Sequence, residues 1–189
     1  MKLTYQKIKD LYPCYDPIKY IPENWEGTVF DILDLEGPSI GDKFWVILRE
    51  DFIPSSILHE FGYQCAEHVL HFFEREFPND LMPREAIEAK RKWVRGEITN
   101  KELEASKNAA WEAHATAWDV NRDAARNAAR NAARYASRSA ACAGAWSAKL
   151  TARYAAQYAA RTIAGDAART IAGDAEREWQ IETLKKLLL

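Results

Sequence analysis

The chain has 189 residues, with 26 lysines and arginines against 28 aspartates and glutamates, and a formal net charge of −2. That length is enough to bury a real core, and the near-neutral balance does not by itself point to a polyanionic partner. Three cysteines (Cys14, Cys65, Cys142), widely spaced and odd in number, suggest no disulfide framework. The start, Met1-Lys2-Leu3-Thr4-Tyr5-Gln6-Lys7, lacks the apolar core of a signal peptide, and no run is apolar enough for a membrane span. These features lead us to expect a soluble, cytoplasmic protein.

The opening sixty residues read as short elements. A helix is expected from Tyr5 to Leu11, stopping at Pro13, and Asp16-Pro17 resembles a cap followed by a first-turn proline. Thr28, with Asp31 three residues on, opens a turn or two of helix ending near Gly37. Phe44-Trp45-Val46-Ile47-Leu48 would pass for a buried strand, but Asp42 before it and Arg49-Glu50-Asp51 after it favour a short buried helix.

From Pro54 to Phe77 the apolar residues Leu58, Phe61, Cys65, Val69 and Phe72 recur at spacings of three and four, which predicts one helix with one stripe. Pro78 ends it. Pro83 takes a first-turn position, and the next helix runs to Arg95 with Gly96 as its C-terminal cap. Thr99-Asn100-Lys101-Glu102 is a capping box that opens the alanine-rich remainder.

Between Ala105 and Ala175, 28 of 71 residues are alanine and none is proline, so helix is expected throughout. Arginine falls at 122, 126, 130, 134 and 138, with alanine pairs between. A period of four overshoots each helical turn by roughly 40°, so the arginine row winds around the helix and the alanine row winds opposite it. Small side chains on that row admit a close partner helix. One straight helix from residue 100 to the end would be roughly 130 Å long, so a break is required. Gly144 is the favoured place, with Gly165-Asp166 and Gly173-Asp174 as the other candidates. Trp179, Ile181, Leu184, Leu187 and Leu188 make an amphipathic closing helix that folds back onto the first half.

The fold class expected is therefore all-α: a short-helix globular half over 1–96, and long alanine-rich helices packed as a hairpin or bundle over 97–189. Charge divides along the same line. Residues 1–60 carry 6 basic and 11 acidic side chains, whereas 120–162 carry 8 basic side chains and only Asp123. Arg122, Arg126, Asn127, Arg130, Asn131, Arg134 and Arg138 are thus the candidate face for a partner or an anion. The bland reading keeps those arginines in water or paired within the fold.

Other motifs carry less. Gly37-Pro38-Ser39-Ile40-Gly41 has the letters of a nucleophile elbow without the strand–helix alternation that motif needs, so a capped turn is expected. His59-Glu60-Phe61-Gly62-Tyr63 has tyrosine where a zincin has its second histidine. Cys65, Glu67, His68, His71 and Glu74 share one helix. Cys65 and His71 lie roughly 120° apart and cannot meet on one metal, whereas Glu67 with His71, or His71 with Glu74, could. Buried thiol and glutamate-paired histidines are the expectation there. Thr151 and Thr162 alone match the eleven-residue repeat of ice-binding helices. No phosphate loop or dinucleotide fingerprint occurs, so neither cofactor nor enzymatic activity is expected.

Residues Pro83-Arg84-Glu85-Ala86-Ile87-Glu88-Ala89-Lys90-Arg91-Lys92-Trp93-Val94-Arg95-Gly96-Glu97-Ile98-Thr99 resemble a known group. Cys65-Ala66-Glu67-His68-Val69-Leu70 lies before them, and Trp179-Gln180-Ile181-Glu182 closes the pattern. Over about 45–189 the chain resembles the alanine-rich immunity proteins, and phage and prophage proteins of the same build. The resemblance implies an all-α, non-catalytic protein that binds another protein stoichiometrically, either a toxin or a host-defence component. It carries no agreed active site. Binding of nucleic acid or a nucleotide signal by the arginine row is the alternative, and homo-oligomers through the alanine-rich helices fit either.

Overall fold

The computed structural model describes the backbone of residues 2–13, 16–119 and 171–189, and the side chains of these except 113–119 and 171–174. The described residues are mostly helical, with one two-stranded antiparallel pair. In that pair β1 (Leu3–Thr4) faces β2 (Glu26–Gly27), Leu3 opposite Gly27. The helices are α1 (Tyr5–Lys9), α2 (Val29–Leu33), α3 (Ile40–Ile47), α4 (Ser55–His68), α5 (His71–Glu76), α6 (Met82–Val94), α7 (Asn100–Asp119) and α8 (Ile171–Leu188). A 3₁₀ turn, Pro17–Lys19, lies between α1 and β2.

Local chemistry starts and stops most of these elements as expected. Asp16 accepts from the Ile18 N–H at 3.2 Å and Pro17 takes the first turn. Thr28 and Asp31 complete a capping box at α2, and Thr99 and Glu102 complete one at α7. Beyond α6 the Gly96 N–H donates to the Trp93 carbonyl and the Glu97 N–H to the Lys92 carbonyl, both at 2.9 Å. Those two bonds form a Schellman ending, which needs the left-handed φ of +74° at Gly96. Phe44–Leu48 lies in and just after α3 and is helical rather than extended.

Three boundaries differ from the periodicity. α1 ends at Lys9 and α2 at Leu33, each earlier than expected, with Gly37 beyond α2 at a φ of +100°. The helix expected over 54–77 breaks after His68. There the Leu70 N–H bonds to Glu67 and the Phe72 N–H to Val69, a tighter three-residue spacing. The break re-aims the chain so that Leu70 and Phe73 fill the core while Phe72 is only half-buried. Gly173-Asp174 is no break, since α8 runs through it. Gly144 and Gly165-Asp166 lie outside the described residues.

Two cores result. The larger joins Leu3, Ile8, Leu33, Ile47, Leu58, Phe61 and Phe73 with Leu184 of α8, so the closing helix packs back onto the first half. Lys185 fastens it to the end of α2 with a 2.6 Å bond to Asp34. The smaller core lies between α6 and α7, where Ala86, Ala89, Leu103 and Ala110 meet, flanked by Trp93 and Ile98. Alanine at these positions lets two backbones come close, as ridge-and-groove packing of small residues allows.

Candidate functional site

Arg122, Arg126, Asn127, Arg130, Asn131, Arg134 and Arg138 all lie outside the described residues, as does the Thr151/Thr162 pair. The other singled-out motifs are described. Ser39 caps α3: its Oγ accepts from the Asp42 N–H at 3.2 Å and donates to the Asp42 carboxylate at 2.6 Å. The elbow-like letters therefore spell a helix cap.

His59 sits buried on α4, its ring edge-on to Trp93 with centroids 5.4 Å apart. Burial, reinforced by the nearby Lys90 ammonium, depresses its pKa to about 4. It is a neutral core imidazole at neutral pH. Lys90 is fully buried on α6, its Nζ 4.1 Å from the Trp93 ring centroid. A cation over an indole face recovers part of what desolvation costs. Trp93 in turn donates from Nε1 to Asn100 at 2.7 Å, tying α6 to the first turn of α7.

The groups that shared one helix in sequence are separated by their partners. Glu67 is bonded to Arg91 of α6, which also holds Glu88 and lies over the Tyr63 ring. Glu74 takes Arg84 at 2.5 Å, and the Nδ1 of His71 lies 3.0 Å from the His68 carbonyl. Among the described residues no three His, Cys, Asp or Glu side chains are placed to hold a metal ion.

A polar cluster that periodicity missed lies where α8 docks on α4. Its centre is Glu176, whose carboxylate is wholly shielded from solvent. Gln180, one turn on, donates to its Oε1 at 2.8 Å. The other oxygen lies 3.2 Å from His68 Nε2, at ion-pair distance but without hydrogen-bond geometry. The His68 ring stacks on Trp179, centroids 3.8 Å apart, and keeps about a third of its side chain exposed (34%). Cys65, one turn before His68, is fully buried, and burial together with the Glu176 charge pushes its thiol well above the ordinary value. A thiol held protonated and sealed from solvent is a packing residue rather than a nucleophile.

The buried face of α8 thus reads Glu176, Gln180, Thr183, Leu184, with Trp179, Ile181, Leu187 and Leu188 half-buried beside it. The apolar members of that face were read in the sequence, whereas Glu176, Gln180 and Thr183 were hidden by their polarity. The one readable signal was Glu176 and Gln180 at a spacing of four, a pair that bonds along a helix. Chemically, the cluster orients a helix: the His68–Trp179 stack and the approach of His68 to Glu176 join α8 to α4, while Gln180 holds the carboxylate from within α8.

Fold and site together define a mostly α-helical protein in which a polar cluster joins α8 to α4 and alanines meet between α6 and α7. The chain belongs to the family described as Imm-5 like putative immunity protein, whose model matches residues 54–187. That span begins at the N-terminus of α4 and takes in every residue of the cluster around Glu176. No curated protein and no solved structure matches the chain. Among the described residues no helix is long and apolar enough to cross a membrane.

Proposed function

We propose that the protein neutralises a bacterial toxin, or a component of a host-defence system, by binding it stoichiometrically in the cytoplasm and without catalysis. Membership of the immunity family over 54–187 is the observation that carries this reading. The contact of His68 with Glu176, which docks α8 on α4 within the matched span, is consistent with a preformed binding scaffold. Co-expression with toxin genes from the same genomic neighbourhood tests it. Growth should be rescued, and the purified toxin should form a one-to-one complex. Ser39→Ala and His71→Ala variants that remain folded should rescue as well as the parent; loss of rescue in either would sink the non-catalytic reading.

A second reading rests on the charge of residues 120–162, 8 basic against one acidic. It makes Arg122, Arg126, Arg130, Arg134 and Arg138 a site for nucleic acid or a nucleotide signal. Arg126, Arg130 and Arg134 changed together to glutamine decide between the two. Steeply salt-dependent binding of RNA, DNA or a cyclic nucleotide, lost in that variant, would favour the second reading. Undiminished rescue by the variant would favour the first.

A further inference from the structure

Four of the side chains described for α8 are buried, and three of them, Glu176, Gln180 and Thr183, are polar; the fourth is Leu184. Their spacing puts them on one face of the helix. The buried faces of α4 and α6 are mostly apolar. Leu58, Phe61, Cys65 and Ala66 accompany His59 in α4, and Ala86, Ile87 and Ala89 accompany Lys90 in α6. Apolar burial favours docking in proportion to the area removed from water, whereas a polar group gains only the difference between its protein bonds and its water bonds. Elements with few buried apolar side chains are the ones that open below the energy of global unfolding.

Where the bonds of that face run matters as much. The Gln180 amide reaches Glu176 Oε1 from one turn away in the same helix, and Lys185 Nζ lies 3.9 Å from Glu182, again within α8. These contacts travel with the helix when it moves. The second oxygen of Glu176 is buried without a hydrogen bond, and its approach to His68 is given up on undocking. In exchange the shielded carboxylate recovers water, which offsets that loss. Release is opposed by Leu184 in the larger core, by the Trp179 ring on His68, and by the bond from Lys185 to Asp34. The Asp34 side chain is mostly exposed, and an ion pair in water adds little.

We propose that α8 is a detachable strap, which lifts from α4 and the larger core as one unit while α4 and α6 stay packed on each other. The buried Glu176–Gln180 pair is what keeps its docking weak enough to reverse. The face uncovered on α8 is polar apart from Leu184 and keeps its own hydrogen bond, so the lifted helix is at ease in water. Opening also frees the His68 ring from Trp179. The strap is a property of the free chain, and it stands or falls apart from the immunity reading.

Native-state hydrogen exchange of the full chain, read residue by residue by NMR in low urea, tests the strap without any substitution. The amides of 179–184 should share one opening constant and be at least tenfold less protected than the slowest amides of α4. Their exchange should depend weakly on urea and that of α4 steeply, since a local opening exposes less surface than global unfolding. The double variant Glu176→Met, Gln180→Met then tests the cause, because it replaces both partners of the buried bond by apolar chains of similar length. It should raise the protection of 179–184 at least tenfold, with the urea midpoint unchanged or raised. Protection in α8 equal to that in α4, no protection at all, or protection graded from the chain end as in fraying would overturn the proposal. So would a folded double variant whose α8 amides exchange as fast as those of the parent.

Discussion

His59 is the residue whose environment is most at odds with its ordinary chemistry. Its ring is buried between α4 and α6, its Nδ1 has no hydrogen-bond partner among the described residues, and Lys90 lies close by. With the folded pKa near 4 and the ordinary value at 6.5, the unfolded chain binds more protons between those two values. Stability therefore rises with pH across that window and is lost as pH falls through it, by about 3 kcal/mol at most. Urea midpoints taken from pH 7 to 4 should decline in the parent and decline much less in His59→Gln. Asp31 and Glu102 have pKa values lowered by the hydrogen bonds of their capping boxes. The stability they contribute is lost only as pH falls below their ordinary values of 3.8 and 4.5, so Glu102 overlaps only the acid end of this window. Equal slopes in parent and variant would show that His59 is not the source.

At the scale of elements, the docking of α8 on α4 combines an apolar anchor with a polar lock. Leu184 is wholly buried in the larger core, and Leu184→Ala should cost about 2–5 kcal/mol. Glu176→Ala removes the acceptor of Gln180 and the partner of His68, and should cost about 1–3 kcal/mol. Glu176→Gln keeps an oxygen for Gln180 and sheds the desolvated charge, so it should cost under about 1 kcal/mol. Thermal and urea unfolding of the three variants should rank them in that order. A Glu176→Ala variant as stable as the parent would mean the lock does not hold the helix.

The whole molecule is mostly helical, and its far-ultraviolet circular dichroism should show a helix fraction well above the usual third. A spectrum dominated by strand would contradict the fold. Much of that fold was legible in sequence because its signals are local. Pro17 and Pro83 in first turns, the boxes at Thr28 and Thr99, and Gly96 with positive φ each satisfy backbone groups within a few residues of themselves. The return of the closing helix onto the first half was legible too, through Leu184 and its apolar neighbours. The resemblance carried by residues 83–99 reached the right family. The arginine row, on which the site reading rested, lies outside the described residues.

What the sequence by itself determined is where the capped helices begin and where Gly96 ends one, because caps, prolines and glycines act over one turn of chain. Tertiary structure decided burial where periodicity failed, although Leu58, Phe61, Cys65 and Val69 are inside as their spacing predicts. Periodicity put Phe72 on the stripe, and the tight turn at Val69-Leu70 buried Leu70 and Phe73 instead. Lys90 and His59 look like surface residues by type, yet Trp93, positioned by the end of α6, makes a buried place for both. The docking face of α8 also carries Glu176 and Gln180, which the apolar pattern around Leu184 does not mark. The carboxylate buried there is bonded by Gln180 one turn on, and it comes within 3.2 Å of His68, more than a hundred residues earlier, when α8 folds back. Local propensity carries no information about that distance; only the packed chain does.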